Sequence, residues 1–180
     1  MEAAARYSFA EMRRDVRSDF RAAAGGTLAG AICACLWSVS FQLLLTYRLA
    51  RWLEGGRLRS LGRALRWLQY SLSGSEISPL AVLGRHVHFP HPSGIVIGAG
   101  VVVEDDAWIF QQVTVGSHGK AGEDKRYPVV ARGARIYAGA KFLGGVRVGA
   151  GAVVGANSVV LRDVPDGATV VGMPAREVGP

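Results

Sequence analysis

The 180 residues carry 21 Lys and Arg against 14 Asp and Glu, a formal charge of +7, with 24 glycines and only 8% aromatics. That length suits one or two small domains, and the glycine content suits a solenoid better than a typical globule. The positive excess sits mainly in residues 1–76, with 11 basic and 6 acidic groups, and the rest lacks the aromatic–basic interleaving that stacks bases, so nucleic acid is not an expected partner.

Ser8-Phe-Ala-Glu11 reads as a capping box that opens a helix running to about Ala24, ended by Gly25-Gly26. Residues 22–47 then run without a charge, between Arg13, Arg14, Arg17 and Arg21 on one side and Arg48 and Arg51 on the other. The stretch is long enough to cross a bilayer. Gly25, Gly26 and Gly30 shorten its helical part, Ser38, Ser40 and Gln42 dilute its apolarity, and both flanks are equally basic. These features favour a buried helix in an α-helical domain, with peripheral membrane association as the second reading. Cys33 and Cys35, two positions apart in this stretch, are too few for zinc and poorly placed for a mutual disulfide. They read as small core residues. The first apolar run starts late and lacks a cleavage pattern, so the expected location is cytoplasmic, with the inner face of the membrane as its variant.

Gly55-Gly56 breaks the chain. Residues 57–72 then form a basic amphipathic helix, with Leu58, Leu61, Leu65, Leu68 and Leu72 at three- and four-residue steps, and Ser73-Gly74-Ser75 links it onward.

From Ile77 an aliphatic or aromatic residue returns every sixth position: Leu83, Phe89, Ile95, Val101, Ala107 and Val113, then, after a polar interruption, Val130, Ile136, Phe142, Val148, Val154 and Val160. Neither a helix nor a half-buried strand has that period. Six residues make one side of a parallel β-helix, three sides make a coil of eighteen, and coils stack at about 4.8 Å. The predicted architecture is a left-handed parallel β-helix over residues 76–168, preceded by a helical region over 1–75 and followed by a strand-like tail over 169–180. After Val113 the beat resumes at Val130, eleven residues late, which predicts an extruded loop at about 117–128.

The chemistry is carried by Pro90-His91-Pro92-Ser93-Gly94-Ile95-Val96-Ile97-Gly98, Gln112-Val-Thr-Val-Gly116, Gly139-Ala-Lys-Phe-Leu-Gly144, Gly155-Ala-Asn-Ser-Val-Val160 and Val171-Gly-Met-Pro-Ala-Arg176. With Tyr47-Arg-Leu-Ala-Arg-Trp-Leu53 upstream, this set resembles the serine acetyltransferase family of hexapeptide acyltransferases over residues 45–178. The resemblance implies an acetyl-CoA donor, a hydroxyl acceptor, direct transfer without an acyl-enzyme, no metal, and a homotrimer or hexamer with active sites between adjacent solenoids. It also implies that His91 is the general base, since a hydroxyl attacking a thioester must lose its proton as the new bond forms. Glu76 holds the place of the family's orienting carboxylate, one methylene longer. For the donor, the resemblance points to Gly116, Ala138, Ala140 and Ala156, whose small side chains let the arm approach the main chain, and to Lys141, Arg162 and Arg176 for its phosphates. His86, His88 and His118 match no motif of the family.

Two departures bear on the acceptor. Where serine-specific members have an aspartate before the base, this chain has Pro90, and where they have histidine after the loop arginine it has Tyr127 beside Arg126. Arg126 and Tyr127, with Asp19 from the helical region, are the expected acceptor contacts. Loss of an acid that pairs with an ammonium weakens amino-acid binding by about 1.5–3 kcal/mol. The proline-flanked form is closest to members associated with exopolysaccharide assembly, so the expected acceptor is a sugar or polysaccharide precursor. The alternative is L-serine in cysteine biosynthesis, and a second is a non-catalytic trimeric scaffold. A zinc carbonic anhydrase on the same solenoid lacks its histidine pattern here.

Overall fold

The computed structural model describes residues 7–25, 27, 30, 32, 37–117 and 127–179. Cys33, Cys35, His118 and Arg126, and most of the expected loop, lie outside them. The chain divides into two compact units, 1–72 and 73–180.

In the first unit, α1 (Phe9–Ala24) opens on the expected capping box: Ser8 Oγ accepts from Glu11 N–H, and the Glu11 carboxylate accepts from Ser8 N–H. Gly25 closes it in the left-handed conformation, φ 58°. Helix α2 (Val39–Glu54) is capped by Ser38, whose Oγ accepts from Phe41 N–H. Phe20 meets Phe41 edge-on at 5.6 Å between the two helices, and Phe9 meets Trp52 at 5.5 Å. Helix α3 (Arg59–Ser73) crosses α2 at Gly62, where a Cβ would stand 3.3 Å from Leu53 Cβ. Among the described residues no helix is long and apolar enough to cross a membrane.

Helices α1 and α2 enclose Arg48, which is fully buried. Its Nε donates to Asp19 Oδ2 at 3.0 Å, and Nη1 lies 3.7 Å from Asp15 Oδ2. Burial alone would lower the guanidinium pKa, but Asp19 carries it above the ordinary value. Tyr7 donates to Asp15 at 2.8 Å, and burial raises its phenol far above the usual range against the pull of Arg48.

The second unit is the left-handed β-helix. Its strands are two or three residues long and lie on three faces. Face A stacks β1 (Glu76–Ile77), β3 (Val96–Ile97), β6 (Thr114–Gly116), β9 (Lys141–Leu143) and β12 (Val159–Val160). Face B stacks β2 (Val82–Leu83), β4 (Val102–Val103), β7 (Val129–Val130) and β10 (Arg147–Val148). Face C stacks β5 (Trp108–Ile109), β8 (Arg135–Ile136), β11 (Val153–Val154) and β13 (Thr169–Val171), closed by β14 (Arg176–Val178). Pairing is parallel except for β14, which folds back antiparallel on β13. The tail therefore extends the solenoid.

All thirteen beat residues are buried, none more than 3% exposed. Each full burial of such a side chain contributes about 1.5–3 kcal/mol. The stacking partners, however, differ from the six-residue count. Ile77 lies under Ile97 and Leu83 under Val103, twenty residues apart, whereas Ile97 lies under Val115 at the regular eighteen. Each side has two inward positions two residues apart, and the count slipped from one to the other at Phe89. The cause is a two-residue bulge between Phe89 and Ile97, which holds His91. Across the later interruption Val103 stacks on Val130 and Ile109 on Ile136, twenty-seven apart. The loop thus adds nine residues to a regular coil, not eleven; the other two belong to the bulge.

Candidate active site

The corner leading from face C into face A repeats on successive coils as Phe110-Gln111-Gln112, Tyr137-Ala138-Gly139 and Gly155-Ala156-Asn157. Main-chain bonds tie the rungs: Gly139 N–H donates to Gln111 O at 2.9 Å, and Asn157 N–H to Ala138 O at 2.8 Å. The turn needs positive φ at its third residue, 58° at Gln112, 74° at Gly139 and 56° at Asn157. At Gly139 a side chain would also collide with the Asn157 amide, so glycine answers both demands.

On the coil below, the same corner is the bulge Pro90-His91-Pro92-Ser93. His91 is exposed, and its ring lies 6.3 Å from that of Phe110, which stacks on Tyr137 at 5.0 Å. An imidazole thus stands at the foot of an aromatic step, on the edge that carries Ala138 and Ala156. The bulge is tied to the chain beneath it. Gly94 N–H donates to Ser73 O at 3.3 Å, and Ser75, wholly buried, donates its hydroxyl to Pro92 O and accepts from Ile95 N–H, both at 3.1 Å. Ser75 reads as a linker residue in sequence, and only the stacking reveals its work. Glu76, next to it, is exposed at the start of β1 with its Cα opposite Val96.

The expected donor contacts divide. Ala138 and Ala156 lie on the His91 edge, and Lys141 is exposed just beyond it on face A, its Nζ donating to Gly139 O at 3.2 Å. Ala140 does not belong with them. It is 0% exposed, its N–H bonds Tyr137 O and its carbonyl accepts from Thr114 N–H, so it is a core residue. Gly116 ends β6 at the far edge of face A, with open space where a Cβ would be. Arg162 is exposed after β12, and Arg176 is exposed on β14, donating to Ala175 O.

Of the expected acceptor contacts, Tyr127 does not lie beside His91 within one chain. Tyr127 packs its ring on Gly100 (φ 80°) at the corner from face A to face B, the opposite edge of face A. Asp19 is the buried partner of Arg48 in the helical unit, where it forms a structural ion pair.

His86 and His88 are accounted for by their neighbours. His88 stacks on Trp108 at 4.3 Å and 20°, and burial lowers its pKa, opposed by the charge of Asp106. His86 sits with Nδ1 3.3 Å from Asp106 Oδ1. Among the described residues no three His, Cys, Asp or Glu side chains are grouped to hold a metal ion.

Residues 127–162 match the family model described as bacterial transferase hexapeptide (six repeats). The chain is 44% identical over 138 residues to the serine acetyltransferase of Synechococcus elongatus, covering 77% of this chain and 56% of that one. Among solved structures it resembles soybean serine acetyltransferase complexed with serine, at 37% identity and a TM-score of 0.81, over 93% of this chain and 69% of that one. It also resembles serine acetyltransferase from Brucella abortus in complex with coenzyme A, at 35% identity and a TM-score of 0.83, over 95% and 69%. The chain spans about half the length of the curated relatives it matches.

Proposed function

The chain belongs to the serine acetyltransferase family of hexapeptide acyltransferases, and from that membership we propose that it is an O-acetyltransferase moving acetyl from acetyl-CoA to the hydroxyl of L-serine, a step of cysteine biosynthesis. The sugar acceptor expected from Pro90 and Tyr127 is overturned by the relatives, which are serine acetyltransferases, one of them solved with serine. Pro90 belongs to the bulge that shapes the corner, and the Tyr127 ring packs on Gly100.

The observation that carries the reading is the exposed His91 on an irregular corner, at one end of an edge whose higher rungs present Ala138 and Ala156. In the reaction, a ring nitrogen of His91 takes the proton of the serine hydroxyl as its oxygen attacks the thioester carbonyl carbon. The carbon–sulfur bond then breaks, and the imidazolium returns the proton to the departing thiolate, so the base is regenerated. Glu76, on the coil beneath, is the acid assigned to orient the imidazole and stabilise its charged form. Ala138 and Ala156 leave room for an extended acyl-carrying arm along the edge, with Lys141, Arg162 and Arg176 as cations for its phosphates.

Site assembly between copies is part of the proposal, as the family resemblance implies. Self-association has a second support in α3. Leu61, Leu68 and Leu72 are 48–78% exposed, seven and four residues apart on one helical face, the pattern of a helix that meets another helix. Arg59, Arg63 and Arg66 point away from that face, so two copies meet without like-charge contact. Light scattering on the full chain checks the assembly, and a monomer at micromolar concentration refutes it.

The test of function is thiol release from acetyl-CoA with L-serine as acceptor. His91→Ala lowers turnover by on the order of 100-fold or more if the ring is the base. Undiminished turnover removes His91 from the mechanism, and the absence of serine-dependent thiol release removes serine.

A further inference from the structure

We infer that Ser75 is the positioning residue for His91, an inference that rests on the reading of His91 as the base. A two-residue bulge breaks the register in which each coil bonds to the next, so the peptide groups inside it lose their regular partners. Here one hydroxyl spans the gap. Ser75 Oγ has one proton to give and lone pairs to receive, and it uses both: the proton goes to Pro92 O, and a lone pair accepts Ile95 N–H, each at 3.1 Å. The residue is 0% exposed, so water cannot substitute for it.

The rest of the bulge leaves this clamp in command. Pro90 and Pro92 limit the backbone on either side of His91. Ser93 N–H closes a tight turn onto His91 O at 2.8 Å, and Gly94, at φ 66°, bonds Ser73 O. The bulge thus behaves as a stiff unit hinged on the chain below. The His91 ring itself is exposed, 6.3 Å from the ring of Phe110, so its aim is set by the backbone more than by packing. Ser75 also immediately precedes Glu76, so the same residue anchors the strand that presents the acid and the bulge that presents the base.

The experiment is a double-mutant cycle on the full chain, with Ser75→Ala, His91→Ala and the pair together, in the thiol-release assay with acetyl-CoA and L-serine. Ser75→Ala lowers kcat by on the order of 10- to 100-fold, the effect of a sub-ångström to ångström misplacement of a reacting group, while KM for acetyl-CoA stays within about twofold. In the His91→Ala background the same change has no further effect on the residual rate, because the group it aims is gone. Ser75→Cys, similar in size and a weaker hydrogen-bonding partner, falls between wild type and alanine, and it carries the test if the alanine variant does not fold.

An inactive His91→Ala beside a fully active Ser75→Ala overturns the inference and leaves the base reading intact. So does an equal loss from Ser75→Ala in both backgrounds, which marks a purely structural role. Wild-type turnover by His91→Ala overturns the base reading, and this inference with it.

Discussion

Arg48→Met is the sharpest test of how the helical unit is held together. The guanidinium is fully buried, and the Asp19 and Asp15 side chains are 1% and 9% exposed. At an effective dielectric of ~20, Asp19 at 3.0 Å and Asp15 at 3.7 Å attract the arginine by roughly 5.5 and 4.5 kcal/mol. Taking three charges out of water costs several kcal/mol for each, so the intact cluster comes close to balance. Removing the cation alone is different. Methionine keeps the apolar stem but leaves two buried carboxylates without the charge that compensates them, a loss of about 3–5 kcal/mol. For a chain of this size each kcal/mol moves Tm by about 2–4 °C, so Tm falls by roughly 6–20 °C. Urea unfolding followed by far-ultraviolet circular dichroism reads the change directly, since α1, α2 and α3 supply most of the helical signal. A variant within about 1 kcal/mol of wild type refutes the reasoning. Asp19→Asn separates the two roles considered for that residue: the ion pair predicts a less stable protein with KM for L-serine unaltered, and a substrate contact predicts the reverse.

Two further outcomes follow from the second unit. His88 has a lowered pKa in the folded state, so below about pH 6.5 the unfolded chain binds more protons. Stability is then lost as pH falls through that value and levels off below the folded pKa. With the ring partly exposed and Asp106 opposing the shift, the effect stays under about 1 kcal/mol, read as the difference in urea midpoint between wild type and His88→Asn at about pH 7.5 and 5.5. Pro90→Asp restores an acid beside the base, and a charged hydrogen bond to the serine ammonium lowers KM for L-serine by on the order of tenfold. An unchanged KM in steady-state kinetics shows that the ammonium is held elsewhere.

The capping box at Ser8, the stop at Gly25 and the leucine helix before residue 73 were all legible because each depends on residues within a turn or two of one another. The same holds for the six-residue beat, whose members are buried without exception. Counting nevertheless failed at the bulge. The two inward positions of each side are both apolar and two residues apart, so an insertion of two passes unseen: Ile95 takes the place in the count that Ile97 holds in the stack. The motif picks out His91 as the expected base, but not the irregularity that presents it. The sequence does not separate the roles of Asp19, because a carboxylate in a helix looks alike whether it meets a substrate or a guanidinium twenty-nine residues later. Ala140 passed for a ligand contact because small residues serve both corners and core.

Taken alone, the order of amino acids determined that the chain coils in sixes and that a helical segment precedes the coil. Periodicity and capping are short-range properties, written wherever side-chain pattern and backbone preference agree. Which residue lies beneath which was decided only when the coils closed, because stacking joins positions eighteen, twenty or twenty-seven residues apart. Those distances gave Ser75 its two partners and set Tyr127 on the edge away from His91.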